Sequence, residues 1–175
     1  LDKTLDFIRN HRASKADQPF FVVLSTQISH APVLPAEPFQ GKTAAGPRGD
    51  FVYELDALTG RLLDTIKELG IDDNTIIFFS GDNGGQHYFK DAENPRGVFE
   101  PNSTVFRGRK GMLLEGGLRV PYIVRWPGKI TAGSTTDHLC YFPDVMPTLA
   151  ELSGAKVPNA IDGISFMPTL LGKGN

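Results

Sequence analysis

The stretch Thr75-Ile76-Ile77-Phe78-Phe79-Ser80-Gly81-Asp82-Asn83-Gly84-Gly85 decides how this chain is read. A run of large apolar residues stops abruptly at a small polar loop holding an acid and an amide side by side. A short, fully apolar run rich in Ile and Phe reads as a strand buried on both faces, as in a parallel sheet. Ligands of open α/β sheets gather outside the carboxyl ends of such strands, and Asp82 and Asn83 stand at that end. The glycines behind them let the backbone turn sharply. A carboxylate oxygen beside an amide oxygen suits a hard cation such as Ca²⁺ or Mg²⁺. The same residue types also make ordinary strand-to-loop turns.

Upstream, residues 51–69 form the clearest helix. Phe51, Leu55, Leu58, Leu62, Ile66 and Leu69 fall on one stripe, and Gly70 is placed to end it. A helix feeding a strand through a short polar turn is half of a βαβ unit. Before that helix, residues 33–49 read as a long irregular loop rich in proline and glycine. Gly41-Lys42-Thr43 is no phosphate-cradling loop, because Ala36 stands where its first glycine belongs and no strand precedes it. Arg48-Gly49-Asp50 is too short to carry meaning. Pro19-Phe20-Phe21-Val22-Val23-Leu24-Ser25 predicts a second buried strand, running out into a polar group that includes His30. Leu1, Leu5 and Ile8 predict a first helix ending near His11.

Downstream, Gln86 to Arg107 is a long polar and aromatic loop. Loops of that length inside a domain are usually functional or disordered. Asn102-Ser103-Thr104 fits a glycosylation pattern, which matters only in a secreted eukaryotic protein. The block from Gly108 to Arg119 holds four glycines, three cations and one acid. It suits backbone brought close to an anionic ligand, or equally a tightly packed loop with an Arg–Glu pair. Val120 to Trp126 predicts a third strand. Phe142, Val145, Met146, Leu149 and Leu152 predict a short helix with Pro147 in its first turn and Gly154 at its end. The end of the chain reads as a loop and a short apolar tail, Ile164 to Leu171.

With 175 residues, 40% hydrophobic and 22% charged, the chain is expected to be a single globular domain. A net charge of -2 gives no electrostatic case for nucleic acid or an anionic membrane. No apolar run approaches a membrane span. One cysteine, Cys140, rules out an internal disulfide framework and reads as a small buried hydrophobe. His11, His30, His87 and His138 show no paired metal-ligand spacing. The chain opens on Leu1 rather than Met, so localisation is not read from this end.

The ordered series resembles the sulfatases, arylsulfatase-like members of the alkaline phosphatase-like superfamily. It runs from His30-Ala31-Pro32 through Asp82-Asn83-Gly84-Gly85 and Gly108-Arg109-Lys110-Gly111. Then come Glu115-Gly116-Gly117-Leu118-Arg119-Val120-Pro121, Arg125-Trp126-Pro127-Gly128 and Asp144-Val145-Met146-Pro147-Thr148-Leu149. The resemblance implies an α/β fold, a mostly parallel sheet flanked by helices, truncated at its amino-terminal side. Residues 1–175 would be part of one catalytic domain. It further implies that Asp82 and Asn83 are ligands of a divalent cation, Ca²⁺ in the usual case and Mg²⁺ as the alternative. Lys110 is similar to the active-site lysine that contacts the sulfate and leaving oxygen. His30 is similar to the histidine that contacts the sulfate or protonates the leaving alcohol.

The resemblance has gaps. The family's nucleophile is a formylglycine made from Cys or Ser in a Cys/Ser-x-Pro-x-Arg motif. Cys140 does not fit, because its proline comes one place late and no arginine follows. That nucleophile and the remaining metal ligands would belong to an upstream segment, so the isolated chain is expected to be inactive. The implied partners are a sulfate-ester small molecule or a sulfated sugar, with no nucleic acid and no membrane. Self-association through exposed sheet edges is also expected. By resemblance the protein would be periplasmic, secreted or lysosomal. A phosphodiesterase or phosphonate hydrolase of the same superfamily, or a non-catalytic cation-binding domain, are the alternatives.

Overall fold

The computed structural model describes residues 1–85, 105–157 and 159–174. The loop from Gln86, apart from Val105 to Arg107, and the Asn102 glycosylation pattern lie outside the described residues. The chain divides into two compact units, Leu1–Asp72 with Asp82–Val120, and Asp73–Gly81 with Pro121–Asn175.

In the first unit, α1 (Asp2–Ser14) buries Leu5 and Ile8, while Asp2 in its first turn and His11 and Arg12 in its last complement the helix dipole. The long helix α2 (Gly46–Glu68) buries Phe51, Thr65 and Ile66, with the other stripe residues half-buried. Arg9 of α1 donates to Thr65 Oγ1 at 3.3 Å, and Arg61 pairs with Asp2 at 2.7 Å. The exposed ion pair contributes little beyond orientation. Gly70, at φ 65°, ends α2 as expected. Its N–H bonds to Lys67 O and that of Ile71 to Ile66 O, satisfying two terminal carbonyls.

The start of α2 differs from the sequence reading by about a turn, and the reason is Pro47. A proline in the first turn has its φ preset and loses no helical bond. Asp50 therefore lies within the helix, 3% exposed, and reaches back to accept the Gly41 and Thr43 N–H groups at 2.6 and 2.7 Å. Burial pushes its carboxyl up, but the N–H groups of Thr43 and Gly41 outweigh it and leave it below the ordinary 3.8. The false phosphate loop is thus closed on a carboxylate of the same chain.

Residues 19–27 carry no strand. They were expected as a buried strand, but Phe21 is 69% and Val23 74% exposed. An apolar run becomes a strand only against a partner ladder, and none is described here. An open cleft is lined by Lys3, Thr4 and Phe7 of α1 and by Phe21 and Val22.

In the second unit, β1 (Ile77–Ser80) pairs with β2 (Tyr122–Arg125) in antiparallel register, Phe78 opposite Val124 and Ser80 opposite Tyr122. The apolar run predicted parallel neighbours for this strand, whereas its described neighbour is antiparallel. Ile77 to Phe79 are half-buried. Antiparallel strands on otherwise parallel sheets are common in α/β proteins. On one face Phe166 packs edge-on against Phe78 and Tyr122, with ring centres 6.3 and 6.1 Å away.

What places Phe166 is the segment from Tyr141 to Ser153. A short turn, Phe142–Asp144, leads into α4 (Val145–Ser153), which Gly154 terminates at φ 71° as expected. Asp144 accepts the Tyr141 and Ile164 N–H groups at 2.9 and 2.7 Å. Thr148, fully buried, donates to Asp144 O at 2.7 Å and accepts Phe166 N–H at 3.1 Å. These bonds set the rotation of α4, so Pro147, Thr148 and Ala150 face inward. Phe142 and Met146, two of the apolar residues from which this helix was read, are 49% and 56% exposed. The apolar tail, for which no element was expected, adds α5 (Met167–Leu170). Tyr122, its buried hydroxyl unpartnered among the described residues, is pushed up to about 12 by burial and then by Cys140 and Asp144.

Two outcomes follow from these bonds. Thr148→Val keeps the shape but strands the Phe166 N–H, and should cost about 1–3 kcal/mol in urea unfolding. Asp50 ionises below its unfolded value of 3.8, so it stabilises fully above that pH and loses the contribution as pH falls through the lower folded value. The melting temperatures of the wild type and Asp50→Asn should therefore differ at neutral pH and converge in acid.

Candidate active site

All four residues singled out by sequence lie in the first unit. The acid–amide turn follows β1 in the chain, and the two glycines after it pin it in place. Gly84 N–H donates to Gly117 O at 3.0 Å, and Lys110 N–H donates to Gly85 O at 2.9 Å. Asp82-Asn83 and Lys110 are therefore joined by backbone alone.

The glycine-rich block makes this possible. It folds into a tight loop and one helical turn, α3 (Glu115–Leu118), in which Gly116 and Gly117 are buried. A Cβ on Gly84 would collide with the Gly116 carbonyl, its carbon only 2.8 Å away. A Cβ on Gly116 would meet the carbonyls of Gly108 and Arg107, and one on Gly117 those of Met112 and Arg109. The glycines thus bring backbone against backbone, and of the two readings for this block the packed loop is the one described. Glu115 pairs with Arg119 at 2.8 Å, and the Arg119 guanidinium sits 4.6 Å from the centre of the Phe106 ring.

The polar heads at the turn remain uncommitted. Asp82 is exposed, and no hydrogen bond or ion pair is described for its carboxylate. Asn83 spends its Nδ2 on Gly84 O at 3.1 Å, which leaves Oδ1 as a free acceptor. Two free oxygens on one turn fit the donor set of a hard divalent cation. Among the described residues no group of three or more His, Cys, Asp or Glu could hold a metal, so this turn would supply two ligands of a larger set. The half-buried Lys110 likewise has no described partner for its ammonium group.

His30 is exposed in a turn before α2, its backbone N–H donating to Gln27 O at 2.9 Å. Its Nδ1 lies 2.8 Å from Ala31 O. A carbonyl only accepts, so Nδ1 carries the hydrogen and Nε2 is left to accept in the neutral ring or donate in the charged one. No described bond connects His30 with the Asp82 turn. Cys140 is half-buried, and burial, then Asp144, push its thiol up, which suits a packed side chain rather than a nucleophile.

Next to Lys110 in the chain, the loop carries an open surface hollow of about 370 Å³ lined by Arg107, Gly108, Arg109, Met112 and Leu114. Sequence reading counted Arg107 as the end of the preceding loop. The dense Arg-Gly-Arg-Lys run was the signal that it belongs with the block.

Comparison with known proteins identifies the family. The sulfatase family model matches residues 1–155. N-acetylgalactosamine-6-sulfatase of Canis lupus familiaris is 37% identical over 174 residues, 98% of this chain and 32% of that protein. The PsFucS1 sulfatase from Pseudoalteromonas sp. superposes with a TM-score of 0.86 at 31% identity, over 99% of this chain and 34% of that one. BT4656, solved in complex with its substrate D-glucosamine-2-N,6-O-disulfate, gives a TM-score of 0.56 at 32% identity, over 71% of this chain and 22% of that one. The chain thus spans about a third of the length of the curated relative. Its fold is the alkaline phosphatase-like α/β fold, and the chain belongs to the sulfatase family.

Proposed function

We propose that the full-length protein is a sulfuric ester hydrolase, of whose catalytic domain residues 1–175 are one part. The observation that carries this is the 2.9 Å bond from Lys110 N–H to Gly85 O, which ties a cationic side chain to a turn with two free oxygens. Asp82 and Asn83 would hold the divalent cation, Ca²⁺ before Mg²⁺. When bound, such a cation stabilises negative charge on the oxygens of the transferred group.

The chain's own residues supply the rest of the reading. The Lys110 ammonium faces charge that builds on the sulfate and on the departing oxygen, where a positioned cation is most effective. His30, its Nδ1 engaged by Ala31 O, offers Nε2 to the sulfate or gives its proton to the leaving alcohol. Cys140 is excluded as nucleophile, so a formylglycine would come from a segment upstream. A sulfated sugar is the favoured substrate class. The dog relative is named for a 6-sulfated amino sugar, and BT4656 was solved with a disulfated one.

The test is hydrolysis of 4-nitrophenyl sulfate by the full-length protein, with 4-nitrophenyl phosphate and its diester in parallel. Lys110→Ala and Asp82→Ala should each lower kcat/KM by roughly a hundredfold to a thousandfold. Chelation should abolish turnover and Ca²⁺ restore it. Faster turnover of the phosphates would replace this reading with a phosphoesterase. Residues 1–175 alone should hydrolyse neither class. They should also run above their 19.1 kDa mass in light scattering, because Phe21 and Val23 are exposed on backbone with no described ladder partner and Ile123 is exposed on a two-stranded ribbon. An active or monodisperse monomeric fragment would overturn that part.

A further inference from the structure

The open hollow on the loop that carries Lys110 has a chemistry of its own. One wall is cationic, from Arg107 and Arg109, and the other is apolar, from Met112 and Leu114. Lys110 is not among these lining residues. Arg107 is exposed, and no ion pair is described for its guanidinium. Glu115 is already held by Arg119 at 2.8 Å, so among the described residues no acid is paired with Arg107. The Arg107 backbone is also fixed, since its carbonyl accepts Gly116 N–H at 2.8 Å. Gly116 leaves no room for a Cβ, so that carbonyl and the buried turn stay in contact.

A guanidinium on a rigid anchor matches the planar fork of a carboxylate or sulfate. An apolar wall beside it accepts the face of a ring. We propose that Arg107 recognises a second anionic group, a carboxylate or a further sulfate, on the ring of the ester that is hydrolysed. This rests on the sulfate-ester reading above, with Lys110 serving the transferred sulfate and Arg107 selecting what the sulfate is attached to. Arg107 is in that sense a specificity residue and takes no part in the bond-breaking step.

The experiment is calorimetric titration of the full-length protein with benzenesulfonate and with benzene-1,3-disulfonate. The wild type should bind the disulfonate more tightly by roughly tenfold, the scale of one charge-assisted hydrogen bond. Arg107→Ala should bring the ratio of the two affinities close to one. Arg107→Lys, which keeps the charge but not the fork, should retain part of it. Circular dichroism melting of both variants separates a lost contact from a lost fold. Equal binding of the two probes by the wild type, or an unchanged ratio in a folded Arg107→Ala, would overturn the proposal. Failure of the sulfate-ester reading looks different: no turnover of 4-nitrophenyl sulfate, with the Arg107-dependent preference for the disulfonate intact.

Discussion

Two backbone hydrogen bonds, Gly84 N–H to Gly117 O and Lys110 N–H to Gly85 O, are the constraint on which the candidate site depends. They form only because Gly84, Gly116 and Gly117 present no side chain where the strands of backbone meet. Because main chain does the holding, no side chain at the turn is consumed by it. Asp82, the Asn83 oxygen and the Lys110 ammonium can therefore face outward without destabilising the loop that carries them. A site assembled by side-chain packing would have had to spend some of those groups on its own structure.

The same accounting separates structural acids from the functional candidate. Asp50 and Asp144 are 3% and 5% exposed, and each accepts two backbone N–H groups with no cation described beside it. Buried carboxylates persist only when so satisfied. Asp50 closes the Gly41–Thr43 loop, and Asp144 anchors the return of the chain at Ile164. Glu115 is spent on Arg119. Asp82 is exposed, with no bond described, one residue from an amide whose oxygen is also free. A carboxylate in that position is accessible to a group from solution, as the proposed cation role requires.

Much of this was legible in the sequence where local chemistry decides the outcome. The stripe on α2, Gly70 and Gly154 as helix ends, and the strand from Tyr122 to Arg125 follow from periodicity and from left-handed backbone that glycine adopts at no cost. The motif order carried the family. What was not legible depended on partners distant in sequence. Phe20 to Ser25 has the composition of a strand, but composition cannot supply the neighbour that makes one. The exposure of Phe142 and Met146 was not legible, because Asp144 and Thr148 hydrogen bonds, rather than apolar area, turn α4. The glycine block was open between two readings, since the same residues serve a ligand or a second stretch of backbone.

Stability and site geometry consequently have different sources in this chain. A two-stranded ribbon such as β1–β2 is marginal without more strands or a covering helix. Here Phe166 covers one face, held there by Thr148, while Ile123 is 59% exposed. Phe21 and Val23, also exposed, mark a second stretch whose apolar area gains nothing until it is covered. The glycine-held turn needs no such cover, because its hydrogen bonds are local to the loop and close over buried Gly116 and Gly117. The candidate residues Asp82, Asn83 and Lys110 are thus tied by backbone contact within the first unit, and apolar residues along both strand-like segments remain available for burial. Covering those segments would raise stability without altering how Asp82, Asn83 and Lys110 are tied to one another.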